Sequence, residues 1–295
     1  LRDYFLFSAD AEVTIEANPG TLTPEKLSIY RKYGINRISI GLQSPNNKEL
    51  AMLGRIHNYA QFLESFQMAR EAGFSNINVD LMFAIPGQCY EGWIENLRMV
   101  AALGPEHISA YSLIIEEGTP FSRKKLDLPD EDTEYRMYED VAVVLKEYGY
   151  HQYEISNYAK AGYECRHNEG YWQRKDYLGL GLGAASLLGK ERFSNTSDMQ
   201  EYLKNSSAPE KIRKNRELLT REDEMAEFMF LGLRMTQGVS KKEFQEYFGT
   251  AIENIYGEVL KKYKKQGLLL EESGRIFLSR EGIHVSNAVM ADFLL

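Results

Sequence analysis

Cysteine is scarce in this chain, and positive charge is in deficit. The two cysteines, Cys89 and Cys165, are too few for a disulfide framework and stand at no metal-ligand spacing. They are expected to be free thiols in a reducing cytoplasm. Lys and Arg number 35 against 43 Asp and Glu, a formal net charge of −8, which argues against a general nucleic-acid binder. No apolar run is long enough to cross a bilayer, and none reads as a signal peptide. Internal repeats and low-complexity segments are lacking as well. His57, His107, His151 and His284 show no ligand spacing among themselves and read as structural or surface residues.

What is there fits one large domain and a small one in 295 residues. The central stretch is Asn76-Ile77-Asn78-Val79-Asp80-Leu81-Met82-Phe83-Ala84-Ile85-Pro86-Gly87-Gln88. It reads as a buried strand of a parallel sheet, covered on both faces and closed by a Pro-Gly loop. Asp80 is the exception inside it. A carboxylate there needs a partner or a ligand.

Glu12–Ala17, Ile35–Leu42 and His107–Ile115 read as three further strands. Between them lie a helix from Thr23-Pro24 to Tyr33, a short one capped by Asn46 or Asn47, an amphipathic one from Tyr59 to Ala72, and one marked by Trp93, Leu97 and Val100. Strands alternating with helices imply βαβ units, with the site at the C-terminal strand ends. Glu16, Gln43, Asp80 and Tyr111 sit at or near those ends, and Arg55 lies in a loop on the same side.

Right-handed crossovers would curl residues 1–125 into part of a barrel or into a doubly wound sheet. Residues 126–207 follow as a second segment, which completes the barrel in the first case, and 208–295 read as a small α+β domain. A helix is expected from Glu131 to Tyr148 and a strand from Tyr150 to Ile155. Ser156–Asn195 is rich in aromatics and glycine. Gly179, Gly181 and Gly183 do not sit in a βαβ context, so they read as close backbone packing in a strand rather than a dinucleotide loop. Glu222–Met235, Lys241–Phe248 and Glu253–Gln266 read as helices, Leu268–Leu278 as a hairpin, and Arg280 to the end as a last helix, together winged-helix-like. Leu1–Phe7 reads as the end of a helix already under way.

Five motifs in order carry a resemblance over nearly the whole chain. They are Thr14-Ile15-Glu16-Ala17-Asn18-Pro19-Gly20, Arg37-Ile38-Ser39-Ile40-Gly41-Leu42-Gln43-Ser44, Asn78-Val79-Asp80-Leu81 with Pro86-Gly87-Gln88, His107-Ile108-Ser109-Ala110-Tyr111-Ser112-Leu113, and His167-Asn168-Glu169-Gly170-Tyr171-Trp172. The first four resemble radical S-adenosylmethionine (SAM) proteins related to oxygen-independent coproporphyrinogen III oxidase. The fifth resembles the HNxxYW mark of the HemW-type heme chaperones within that family. The resemblance implies a (β/α)6 TIM-like barrel, here without its first two strands, and a cytoplasmic protein that holds SAM and a [4Fe-4S] cluster. It further implies binding of heme and its transfer to acceptor hemoproteins; the Lys261-Lys262 and Lys264-Lys265 runs could contact an acidic protein or a membrane surface that holds such an acceptor. The family's CxxxCxxC and GGTP-type loops are not in this sequence, so a chain lacking its N-terminal segment and unable to hold the cluster is expected. Pro45 and Ala84-Ile85 are smaller departures from the family's usual residues.

The resemblance assigns Glu16, Gln43, Arg55 and Asp80 to SAM. Arg55 would pair with the SAM carboxylate, and the acids would accept from its ammonium or ribose. The competing reading is an internal Glu16–Arg55 ion pair with Asp80 capping a loop. His167 is the candidate heme-iron ligand, with Tyr171 and Trp172 covering the porphyrin and Asn168 either part of that site or a turn holder. A structural His167 is the alternative. Cys165 stands as either a second soft ligand or a partly buried thiol. Tyr111 and Tyr153 either line a cavity mouth or seal the sheet end. Two rival functions remain: porphyrinogen decarboxylation by a deoxyadenosyl radical, and a non-catalytic interaction or DNA-binding module using Lys261, Lys262, Lys264 and Lys265. An unpaired edge at Glu12–Ala17 would favour self-association, with a homodimer as one outcome.

Overall fold

The computed structural model describes residues 5–295. It divides into two compact units, the first ending at Cys165 and the second running Arg166–Leu295. Leu1 to Tyr4 lie outside the described residues, and Phe5–Phe7, expected as a helix end, is not helical.

In the first unit the elements follow in the order β1 (Thr14–Ala17), α1 (Pro24–Lys32), β2 (Arg37–Gln43), α2 (Asn47–Met52), α3 (Tyr59–Glu71), β3 (Ile77–Phe83), α4 (Tyr90–Ala102), β4 (His107–Ser112), α5 (Glu131–Lys146), β5 (His151–Glu154) and β6 (Asn157–Ala159). Local chemistry starts α1 and α2 as the sequence predicts. Thr23 accepts from the Lys26 amide ahead of Pro24, Asn46 caps α2, and Asn58 with Gln61 forms a capping box on α3.

The strands β1 to β4 are parallel, and the full sheet order is β1-β2-β3-β4-β6-β5. It is open, with β1 and β5 at its edges. The expected strand at Tyr150–Ile155 forms, but it does not continue the parallel series. β6 turns back beside β4 antiparallel, and β5 pairs with β6.

Alternation along the strands places the core. Ile38, Ile40 and Leu42, Ile77, Val79, Leu81 and Phe83, and Ile108 and Ala110 pack with Leu27, Phe62, Trp93, Leu97 and Val141 from the helices. The other set from the same strands is Glu16, Ser39, Gly41, Gln43, Asn78, Asp80, His107, Ser109 and Tyr111. The β3 strand is therefore not covered on both faces by apolar groups, as its composition suggested. One face is core, and the opposite face is polar.

The second unit contains α6 (Arg166–Trp172), β7 (Ala185–Leu188), β8 (Glu191–Asn195), α7 (Met199–Asn205), α8 (Pro209–Ile212), β9 (Arg213–Leu218), α9 (Arg221–Gly232), β10 (Val239–Ser240), α10 (Lys241–Phe248), α11 (Ile252–Lys265), β11 (Leu269–Glu272), β12 (Arg275–Leu278), α12 (Arg280–His284) and α13 (Ser286–Ala291). β7-β8-β9 form one antiparallel sheet and β10-β12-β11 another. The three predicted helices and the hairpin are α9, α10, α11 and β11–β12, around buried Phe244, Tyr256 and Phe293. The last helix is broken into α12 and α13 at Val285. Of the three glycines, only Gly179 packs closely, since a Cβ there would lie 2.2 Å from the Ala185 carbonyl oxygen. Gly181 and Gly183 have φ of 111° and 68° and serve a loop, not a strand.

Candidate functional site

The four candidate SAM residues, Glu16, Gln43, Arg55 and Asp80, lie together around Tyr111 at the C-terminal ends of β1, β2 and β3. Gln43 ends β2 after a register irregularity between Ile40 and Gln43, with φ of 71°. A left-handed φ on a residue other than glycine costs roughly 1–3 kcal/mol and persists only where the surroundings impose it. The Tyr111 hydroxyl on β4 donates to Gln43 Oε1 at 2.9 Å and holds the amide in place. Gly41 forms the floor here. A Cβ on it would lie 3.1 Å from Gln43 Nε2 and 3.8 Å from both Arg55 Nη2 and Asn18 Oδ1. Gln43, Arg55 and Asn18 thus converge over one spot, which a Cβ on residue 41 would crowd on the Gln43 side.

Glu16 and Arg55 do not form the ion pair that the competing reading required. Arg55 makes only a long 3.5 Å contact to Asn18 Oδ1, and Glu16 has no hydrogen bond or ion pair among the described residues. Asp80 caps no loop. Its partners are neutral side chains of the same face: Asn78 Nδ2 at 2.7 Å, Ser39 Oγ at 3.3 Å, and Ser109. Burial pushes the Asp80 carboxyl above its ordinary range, those three hydrogen bonds oppose the shift, and the nearby Glu16 charge adds to it. The Tyr111 hydroxyl is pushed to about 12 by burial, then by the Asp80 charge. Two carboxylates and a guanidinium that leave one another unpaired are matched to a ligand with cationic and anionic ends. SAM has that character, and the residues present fit it.

An iron–sulfur cluster is not fitted by the residues present. The chain has two cysteines; Cys89 is exposed, and Cys165 is buried with its thiol donating to Glu12 Oε1 at 3.6 Å. Among the described residues no group of three His, Cys, Asp or Glu is placed to hold a metal ion.

The HNxxYW residues lie on a helix, so Asn168 is not the turn holder that its alternative reading required. On α6, His167 and Tyr171 share one face, while Asn168 and Trp172 share the next. The exposed His167 imidazole stands edge-on to the Tyr171 ring, with centroids 4.7 Å apart at 84°. Tyr171 in turn meets Tyr177 at 4.7 Å and 75°. Half-buried Trp172 has the Arg234 guanidinium 4.3 Å above its ring, and its Nε1 is buried with no hydrogen-bond partner. Behind this helix, Arg174 and Arg192 pair with the buried Glu227 at 2.7 and 2.5 Å.

Sequence reasoning missed Asn18, Gly41, Ser39, Asn78 and Ser109 as site residues. The available signal was the period of two on β2, β3 and β4, which puts Gly41, Ser39, Asn78 and Ser109 on the face of Gln43 and Asp80. The lysines of the DNA-binding reading are partly neutralised: Lys262 pairs with Asp292 at 2.5 Å, and Lys264 pairs with Glu271. No described helix is long and apolar enough to cross a membrane.

Residues 2–100 match the Radical SAM superfamily, and residues 219–285 match the HemN C-terminal domain. The curated "Heme chaperone HemW" of Bacillus subtilis (strain 168) is 38% identical over 288 residues, 96% of this chain and 76% of that protein. The protein of that name from Escherichia coli (strain K12) is 35% identical over 285 residues, 92% of this chain and 74% of that one. A solved structure of Escherichia coli coproporphyrinogen III oxidase, HemN, described as a radical SAM enzyme, superposes with a TM-score of 0.84 at 22% identity. It covers 99% of this chain and 72% of its own, a likeness of fold.

Proposed function

Because the chain belongs to the HemW heme-chaperone family of radical SAM proteins, we propose that it binds heme around His167 and passes it to acceptor hemoproteins. The observation that carries this reading is the exposed His167 imidazole set edge-on against Tyr171, which in turn meets Tyr177. An accessible imidazole suits ligation of heme iron, and the adjoining rings suit the apolar macrocycle. Trp172 and Asn168, on the neighbouring helix face, complete the segment. Heme is the cargo in this account, and the work done on it is transfer.

SAM is held in the first unit by Glu16, Gln43, Arg55 and Asp80. Arg55 takes its carboxylate, and Glu16 and Asp80 take its ammonium or ribose hydroxyls. When bound, SAM supplies a sulfonium and those polar groups. Gln43, fixed by Tyr111, orients the ligand over Gly41. No step is assigned to an iron–sulfur cluster, since the residues present do not fit one. The setting is cytoplasmic, the acceptors include membrane-associated hemoproteins, and pairing of two copies is compatible with the open β1 edge.

The test is transfer. Chain loaded with heme is mixed with an apo-hemoprotein such as apomyoglobin, and the acceptor's Soret band is followed against free heme. Faster or more complete filling from the chain supports the proposal. Heme that stays on the chain, or turnover of coproporphyrinogen III in its place, refutes it.

A further inference from the structure

Behind Asp80 runs a line of buried polar side chains that the proposed SAM contacts do not use. Asn78 Nδ2 donates to Asp80 Oδ1 at 2.7 Å and to Ser39 Oγ at 2.9 Å. Asn78 Oδ1 is 2.6 Å from His107 Nδ1 and accepts from Ser109 Oγ at 3.2 Å. His107 Nε2 is 2.8 Å from the Tyr153 hydroxyl, and the Cys165 amide donates to that same hydroxyl at 3.3 Å. The chain of contacts crosses β3, β4 and β5 and ends at Cys165, the last residue of the first unit.

The direction of every bond in it is fixed by chemistry. A carboxylate only accepts, so the Asn78 amide must turn its NH2 to Asp80 and its oxygen to His107. His107 is fully buried, and burial, followed by the Arg37 charge, holds it neutral far below its ordinary range. Its single proton must then sit on Nδ1 to meet the Asn78 oxygen. That leaves Nε2 as an acceptor, which the Tyr153 O–H fills. Burial keeps the Tyr153 proton in place, its pKa being raised far above the ordinary value. The Tyr153 oxygen is left to accept from Cys165 N–H. All dipoles point one way, toward Asp80, and hydrogen bonds so aligned polarise and strengthen one another.

We propose that Asn78, His107 and Tyr153 are positioning residues, a one-directional relay that fixes the Asp80 carboxylate and ties it to the backbone of Cys165. Cys165 leads directly into Arg166 and the His167 helix, so occupancy at Asp80 is felt where the heme segment begins. This rests on the reading of Asp80 as a SAM contact.

Three measurements on the whole chain test it. In protein labelled with 15N-histidine, His107 gives the Nδ1–H tautomer with no titration between about pH 5 and 8. An Nε2–H signal, or an imidazolium forming near neutral pH, overturns the relay regardless of SAM. Tyr153→Phe, which keeps the ring and removes the donor, weakens SAM binding about 5-fold, the scale of one buried hydrogen bond. It also abolishes the slowing of Cys165 amide exchange that SAM produces in the parent. Unchanged SAM affinity and unchanged Cys165 exchange in Tyr153→Phe, with Asp80→Ala still losing SAM, refute the relay alone. If Asp80→Ala also binds SAM as the parent does, the SAM reading falls and takes the coupling with it.

Discussion

Replacing Gly41 by Ala separates the binding function of the strand-end floor from its contribution to the fold. Gly41 lies mid-strand with no left-handed backbone, so alanine meets no φ penalty there. Removing a glycine's freedom in the unfolded chain stabilises by about 0.4–1 kcal/mol. Against this, the new Cβ lies 3.1 Å from Gln43 Nε2 and asks that amide to move a few tenths of an ångström. The movement weakens the Tyr111–Gln43 hydrogen bond, an effect of about 1 kcal/mol. The two nearly cancel. The melting temperature should then stay within about 4 °C, at about 2–4 °C per kcal/mol for a unit of this size. Ligand binding has no such compensation. The methyl group occupies the point where Gln43, Arg55 and Asn18 converge, and loss of one hydrogen bond to a charged ligand group is worth about 1.5–3 kcal/mol. SAM affinity should fall about 10- to 100-fold. Thermal melting beside isothermal titration with SAM reads both. An unchanged SAM affinity would show that the floor is not a binding surface. A collapse in melting temperature would show that Gly41 is needed for packing instead.

Other expectations follow from the same geometry. After anaerobic reconstitution with iron and sulfide the chain should show no stoichiometric iron–sulfur absorbance, and a full [4Fe-4S] spectrum would refute the account of its two cysteines. Stability should fall on acidification through the histidines: His57 and His107 both have folded pKa values below the ordinary one, chiefly through burial. The unfolded chain therefore takes up their protons first. Stability is present above about pH 6.5 and is lost below it, by up to about 1.4 kcal/mol per pH unit for each group until the folded form also protonates. Denaturant midpoints from pH 8 to 5 should show this, and His107→Gln should flatten the slope; an unchanged slope would contradict it. The open β1 edge should give concentration-dependent self-association in light scattering, reduced by Ile15→Lys. A strictly monomeric parent would refute that use of the edge.

Much of the first unit was legible because its signals are local. Thr23-Pro24, the Asn46 cap, and the amphipathic pattern of Tyr59–Ala72 each report one helix without help from distant residues. Asp80 stood out as one carboxylate in an apolar run. The period of two was masked by Met82, an apolar residue on the polar face, so β3 read as covered on both sides. The antiparallel return of β6 has no sequence signal, because its three residues, Asn157, Tyr158 and Ala159, are too few to show a period. α6 was hidden by Gly170 and by aromatics of modest helix propensity. β9 was missed because Arg213–Leu218 is polar and largely exposed, held by pairing with β8 rather than by a buried face. The absence of a Glu16–Arg55 pair depends on where the end of β1 and the loop after α2 lie in space, and composition cannot report it.

The central claim, that the His167 segment takes heme, is tested most directly by titrating heme into the chain and into His167→Ala under a spectrophotometer. The parent should give a saturable, stoichiometric Soret shift that the substitution abolishes while the melting temperature holds. The same saturable shift in both proteins, or none in the parent, would contradict the claim.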